Sequence, residues 1–300
     1  MSKYLCQRAT EFDKQSALFK QKHSLAELSR THIGQRKYDG CHMIAATADN
    51  KVTLVSRTGE AVRSCDHLHA AILAAFGNGF VIFGEAWAEG TPHPQISGDF
   101  RRQSPSPNLL FVVYDIVPTA CYAVGYDAVP YRTRWGHLRG AVSFLQPPTG
   151  VILAAAYSPG SYGTDPLAMA NFLRMEERTL TGNWYDGFIM RDPGAPWRQA
   201  DAKEGELIKV KPLISLDLRV VGVTEGLGKM AGMAGTLKLQ HGDNVIEVGG
   251  GDYDQRRRWL ADPASIIGQI VEVEALECTE DGALREPRLK VQRFDKLKAD

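Results

Sequence analysis

Short stretches in which apolar and polar residues alternate, broken by turn-forming residues, run through the first two thirds of the 300-residue chain. Alternation with period two marks a strand with one buried face. Residues 42–48 and 51–57 alternate in this way about Asp49-Asn50, which predicts a hairpin. Residues 80–87 and 109–117 read as strands joined by a loop rich in Pro, Ser and Gly. A helix is expected from Asp66 to Phe76, with Asp66 as its cap and Gly77-Asn78-Gly79 as its stop. A second opens at Thr164 or Asp165, with Pro166 in its first turn, and ends near Leu180. Residues 184–191 and 206–211 return to strand.

Pro212 marks a boundary, dividing the chain into expected domains 1–212 and 213–300. Strands are predicted at 217–224, 235–239, 245–249, 268–278 and 284–293, with a short helix from Asp252 to Leu260 between the third and fourth. Five strands with one inserted helix is the layout of an OB-type barrel, an architecture that commonly binds oligonucleotides. Any small antiparallel barrel would show the same layout.

Length agrees with two domains, and 44% hydrophobic content is ample for two cores. No apolar run approaches the ~20 residues of a membrane span. The start, Met1-Ser2-Lys3-Tyr4-Leu5-Cys6, lacks the apolar stretch of a secretory signal. Five scattered cysteines without a Cys-x-x-Cys pair argue against a disulfide framework or structural zinc and suit a reducing cytoplasm. Thirty-five basic and thirty-five acidic residues cancel. Residues 1–40 nevertheless carry eight Lys/Arg against four acids, and Arg101-Arg102 and Arg256-Arg257-Arg258 add basic spots. A neutral total is compatible with phosphate contacts on one basic face.

Candidate chemistry lies in six short segments. Lys37, in Gln35-Arg36-Lys37-Tyr38-Asp39-Gly40, is expected just ahead of a strand and facing a cleft. An amine attacks phosphorus only when neutral, and free lysine has a pKa of about 10.4, so such a nucleophile needs surroundings that favour its neutral form. Arg57, in Ser56-Arg57-Thr58-Gly59, would return to the same cleft from the far end of the hairpin. Glu85 emerges from apolar Val81-Ile82-Phe83, where an unpaired carboxylate is costly, so a cation or metal is expected beside it. Tyr114 offers a ring on which a base could stack. Asp186-Gly187 repeats the carboxylate–glycine pattern, and Lys209 and Lys211 share one face of a strand, as suits a polyphosphate. Taken singly, each also fits a bland reading: a surface lysine, a solvated hairpin arginine, an aromatic in a core strand.

The order of these segments, followed by a barrel, resembles the covalent nucleotidyltransferases, which comprise ATP-dependent DNA ligases, RNA ligases and messenger-RNA capping enzymes. Gly228-Lys229-Met230-Ala231-Gly232-Met233-Ala234-Gly235 and Arg293-Phe294-Asp295-Lys296 are most similar to minimal, phage-type ATP-dependent DNA ligases. The resemblance implies an α+β fold: an adenylation domain of antiparallel sheets flanked by helices, then a β-barrel OB-fold domain. It implies a DNA ligase that seals 3′-hydroxyl/5′-phosphate nicks in duplex DNA, working as a monomer in the cytoplasm. An RNA ligase or capping-type enzyme acting on RNA is the alternative.

By the same resemblance Lys37 would attack the α-phosphate of ATP and carry AMP, with Asp39 positioning it. Gln35, Arg57, Glu85, Tyr114, Asp186 and Arg198 would contact the nucleotide. Glu85 and Asp186 would be linked to Mg²⁺. Lys209 and Lys211 would hold the α-phosphate and lower the pKa of Lys37. Arg293, Asp295 and Lys296 would reach the β- and γ-phosphates. Two positions depart from the family's usual pattern: His42 stands where arginine is common, implying a weaker or pH-dependent phosphate contact, and Asp186 stands where glutamate is usual. The short connection between Thr224 and Gly235 predicts no DNA-wrapping latch, leaving the grip to the basic N-terminal region, Arg101-Arg102 and the barrel face.

Overall fold

The computed structural model describes residues 5–145, 149–278, 282–296 and 298–299, so Met1 to Tyr4 of the segment read for a secretory signal lie outside the described residues. The chain divides into two compact units, Met1–Lys211 and Pro212–Asp300.

In the first unit two short helices, α1 (Ala17–Lys22) and α2 (Leu25–Leu28), precede β1 (Ile33–Tyr38). Two residues separate β1 from β2 (Cys41–Ala48), which returns as β3 (Lys51–Ser56). Asp49 and Asn50 both take positive φ, 50° and 57°, which is the turn whose twist matches a tight hairpin. Asp66 falls inside a 3-10 turn instead of capping the helix α3 (His69–Phe76), which stops at Gly77 as expected.

After β4 (Phe80–Trp87) comes a helix, α4 (His93–Phe100), in the segment expected to be a loop. Proline is tolerated in a first helical turn, and Ile96 buries itself completely to anchor this one. There follow β5 (Leu110–Pro118), α5 (Thr119–Val124), β6 (Tyr126–Asp127), α6 (Tyr131–Ser143), β7 (Val151–Leu153) and β8 (Ala156–Tyr157). The expected second helix is α7 (Pro166–Thr181), capped by the Asp165 carboxylate, which accepts from the backbone N–H of Leu167 and Ala168. The unit ends with β9 (Tyr185–Arg191), β10 (Trp197–Arg198) and β11 (Leu207–Val210).

These strands form a five-stranded sheet, β3-β2-β4-β5-β7, and a four-stranded sheet, β11-β9-β1-β8. Pairing is antiparallel except for β5 with β7. Strand periodicity lets the larger sheet bury both faces. Met43, Ala45 and Ile82 join the main core with Phe188, Met190 and Ile208 of the other sheet. Ile44, Val81 and Phe83 pack on the opposite face with Cys6 and Trp197. The Asp39-Gly40 turn carries the chain from one sheet to the other.

The second unit has its own core around Leu218, Leu237, Leu239, Val273 and Trp259. Its long strand β12 (Ile214–Glu225) is followed by β13 (Ala234–His241), β14 (Asn244–Val248), α8 (Tyr253–Ala261) and β15 (Ile270–Ala275). The last strands are β16 (Glu277–Cys278), β17 (Leu284–Arg285) and β18 (Arg288–Gln292). Five of them form one antiparallel sheet in the order β14-β13-β12-β15-β18, with α8 inserted between the third and fourth strands as the pattern predicted. A capping box between Asp252 and Gln255 starts that helix.

Candidate active site

Lys37 lies inside β1, one residue from its end, and not ahead of a strand as expected. The polar run Gly34-Gln35-Arg36-Lys37 shows no alternation, which hides the strand from pattern reading. In register with β9, Lys37 faces Gly187 and Tyr38 faces Tyr185, so Asp186 is the extra residue of a β-bulge. Bulges re-aim side chains, and this one delivers a carboxylate to the lysine. Lys37 Nζ donates to Asp186 Oδ2 at 2.6 Å, and Lys211 Nζ lies 2.8 Å from the same oxygen.

The glycines beside these residues are steric necessities. A Cβ on Gly40 would stand 2.5 Å from the carbonyl oxygen of Ala86, and one on Gly187 would stand 2.3 Å from that of Val210. Lys-x-Asp-Gly and Asp-Gly thus mark places where a neighbouring backbone runs against the site.

Charge around Lys37 is negative. Burial alone would lower its pKa, but the Asp186 carboxylate, then Glu85 and Asp39, outweigh burial and hold it above the ordinary lysine value. The expectation that Lys209 and Lys211 lower it is therefore corrected: Asp186 intervenes, and Lys37 is an ammonium. Burial likewise works to raise Asp186, yet Lys37 and Lys211 beside it keep its carboxyl below the usual carboxylate range. Lys209 is the lysine whose pKa falls, through burial and the charges of Lys211 and Lys37, although Glu11, 3.1 Å away, opposes this.

Glu85 faces His42 across β2 and β4. Burial pushes its carboxyl up to about 7 against the pull of Lys37 and Arg57. Its buried Oε2 has no hydrogen-bond partner among the described residues. Burial, then the nearby Arg57, lower His42 to about 4. His42 is therefore neutral near pH 7 and brings no cation to a phosphate, which corrects the pH-dependent contact expected of it. Arg57 stands at the far end of the hairpin and is exposed, yet its charge acts on Glu85 and His42 of the site.

Tyr114 is also a bulge residue: Phe83 faces Asp115 and Gly84 faces Val113, leaving Tyr114 unpaired on β5. Its ring lies 6.2 Å from that of His42, with the Arg191 guanidinium 5.0 Å from its centroid. A buried polar network supports this shelf. Asp115 accepts from Arg134 Nε at 2.8 Å and Nη2 at 3.1 Å, and Arg191 Nε donates to Gln35 Oε1 at 2.6 Å. Tyr131 donates to the carbonyl of Tyr114 at 3.1 Å. Gln35 thus meets the site through Arg191. Arg134 and Tyr131, on a helix the pattern did not show, were missed; Asp115 and Arg191 lay in the motifs but had no charge partner visible in sequence.

Arg198 is not brought to this cluster. It pairs through β10 with β6, and its guanidinium sits 4.9 Å from the ring of Tyr126. In the N-terminal region Arg8 is ion-paired with Asp201 at 2.7 Å and Lys14 with Glu11, so these cations are already partly neutralised.

In the second unit Arg293, Asp295 and Lys296 form their own cluster. Arg293 makes a two-pronged contact with Asp295, at 2.9 and 2.8 Å, and lies 3.3 Å from Asp217, which also accepts from Lys296. Asp217, buried on β12, is a third residue that sequence reasoning missed.

Among the described residues no group of three or more His, Cys, Asp or Glu is arranged to hold a metal ion, and no helix is long and apolar enough to cross a membrane.

Residues 225–293 match the family model of the DNA ligase OB-like domain. No curated protein matches the chain. Among solved structures, Pmar-Lig_Pre aligns with a TM-score of 0.74 at 20% identity, over 97% of this chain and 68% of that one. A structure from the structure–function analysis of Lig E DNA ligases, which concerns DNA binding with a minimal scaffold, aligns with a TM-score of 0.69 at 20% identity, over 96% and 98%. The ATP-dependent DNA ligase from bacteriophage T7 in complex with ATP aligns with a TM-score of 0.54 at 18% identity, over 96% and 98%. The resemblance to ATP-dependent DNA ligases drawn from the motif order is borne out in the fold. A mixed α/β unit with strands in two main sheets is followed by a second unit, and residues 225–293 of the latter carry the DNA ligase OB-like family match.

Proposed function

We propose that this chain is an ATP-dependent DNA ligase that seals 3′-hydroxyl/5′-phosphate nicks in duplex DNA through AMP carried on Lys37. The observation that carries this reading is a largely buried lysine ringed by Asp186, Glu85 and Asp39, with Lys209 in β11, the strand on the far side of β9, and Lys211 just past its end, in a chain with the ligase fold. A lysine placed among carboxylates can be held as an ammonium between turnovers and becomes a nucleophile once it loses its proton.

Asp186 governs that change. While its Oδ2 accepts from Lys37, the amine stays protonated; Lys211, on the same oxygen, is the partner in the chain that can retain the carboxylate when Lys37 turns to phosphorus. Lys209 and Lys211 supply positive charge for the α-phosphate, and Tyr114 offers the face on which adenine stacks.

The donor set fits Mg²⁺. Glu85 has a buried oxygen without a partner, and Asp186 is ionised beside it; Mg²⁺ usually takes only one or two carboxylates, with phosphates and water completing its shell. Glu85 and Asp186 would hold it, and when bound it supplies neutralisation of phosphate charge. Arg293, Asp295 and Lys296 would serve the departing pyrophosphate, and AMP would pass from Lys37 to the nick's 5′-phosphate before the 3′-hydroxyl displaces it.

Labelled ATP or GTP followed by a denaturing gel, with nicked DNA and nicked RNA as acceptors, tests this. An ATP-derived adduct and sealed DNA are expected. A GTP-only adduct, or sealing of RNA but not of nicked DNA, would overturn the assignment.

A further inference from the structure

We propose that Glu11 is an internal counter-ion of Lys209 that nucleotide phosphate must displace, so that a residue outside every motif sets the affinity for ATP. The inference rests on the ligase reading and adds an affinity-setting residue to it.

The contact is built by the backbone. Residues 8–11 run beside β11: Thr10 bridges Ile208 in parallel, Lys209 N–H donates to the carbonyl of Thr10 at 3.0 Å, and Thr10 N–H donates to that of Leu207 at 3.4 Å. Arg8 adds a second parallel bridge, to Asp201, reinforced by their ion pair at 2.7 Å. This alignment sets the Glu11 carboxylate 3.1 Å from Lys209 Nζ, with the two side chains 18% and 25% exposed. Two long surface side chains meeting by chance would have no such frame.

The carboxylates facing the two strand lysines differ in kind. Asp186, on Lys211, also holds Lys37 and belongs to the reacting centre. Glu11 comes from the N-terminal segment and occupies the ammonium that an α-phosphate would use. A carboxylate retained there repels an incoming phosphate and competes for the same cation. Displacement is feasible because Glu11 also accepts from Lys14. When phosphate takes Lys209, Glu11 keeps that second cation and is not left as an uncompensated buried charge.

The test is the dissociation constant for α,β-methylene-ATP, whose bridging carbon blocks AMP transfer, measured by calorimetry on the full chain. Glu11→Gln removes the competing charge and should bind about two- to fivefold tighter, the range for one partly exposed ion pair. Lys14→Gln leaves Glu11 leaning more on Lys209 and should bind more weakly. In a Lys209→Gln background, Glu11→Gln should change nothing. A purely structural role would move both single variants the same way. Equal or weaker binding by Glu11→Gln, in a variant whose melting curve stays cooperative, would overturn the proposal and make Glu11 a support for Lys209. A wild-type chain that fails to bind α,β-methylene-ATP would overturn the ligase reading itself, a different result from an unresponsive Glu11.

Discussion

At the residue scale, the site is governed by which carboxylate faces which lysine. Lys37 looked, in sequence, like a nucleophile tuned by neighbouring cations. In the fold it is an ammonium held by Asp186, because a bulge turns that carboxylate inward. His42 shows the same dependence on placement. With burial holding it at about 4, it carries no charge across the neutral range. His42→Asn should therefore leave the pH profile of adduct formation without any change near pH ~6.5, the ordinary histidine value. An inflection there that the substitution removes would contradict the buried, neutral ring. Glu11 gives a stability prediction with a definite sign. Burial would raise its carboxyl, but hydrogen bonds from Lys14 and Lys209 hold it at about 2, below its ordinary 4.5. Its contribution is present above the ordinary value and is lost as pH falls through the folded one. The Tm difference between wild type and Glu11→Gln should accordingly shrink from about pH 6 to about pH 2. A difference that grows on acidification would contradict this pairing.

At the element scale, two bulges and two close backbone approaches place the chemistry. Gly187 takes φ 127° and leaves no room for a Cβ beside Val210, so β9 can lie on β11 only with glycine there. Gly187→Ala should destabilise the first unit by about 1–3 kcal/mol and separate Asp186 from Lys211. Denaturant unfolding and adduct formation would both register it, and an unaffected variant would show that the strands tolerate the shift. Arg134→Met leaves Asp115 without its main cation in a buried setting. That change should cost about 3–5 kcal/mol, read as a loss of Tm and of the Tyr114 shelf. These features also mark the limit of sequence reading. The Asp49-Asn50 hairpin and the Asp165-Pro166 helix start were legible because their signals are local. The strand carrying Lys37 was not, since its polar residues obscure the period. Nor were the bulges at Tyr114 and Asp186, because they exist only in register with strands distant in sequence.

At the scale of the whole molecule, the chain comprises two units with separate cores, each carrying part of the expected chemistry. The motif order anticipated the fold of the units, because ordered spacing survives where individual residues are ambiguous. The role of Asp217 was not anticipated, since nothing local links it to a C-terminal tail. Asp217→Asn should loosen Arg293 and Lys296 and slow reaction with ATP more than sealing of a pre-adenylated nick. Removing residues after Pro212 should give the same ordering with a larger loss. Equal losses in both steps would detach the C-terminal cluster from pyrophosphate departure. The most direct measurement is peptide mapping by mass spectrometry after incubation with ATP and Mg²⁺. One AMP on the peptide containing Lys37, absent in Lys37→Ala, is the expected result; AMP on another residue, or no adduct from the intact wild-type chain, would contradict it.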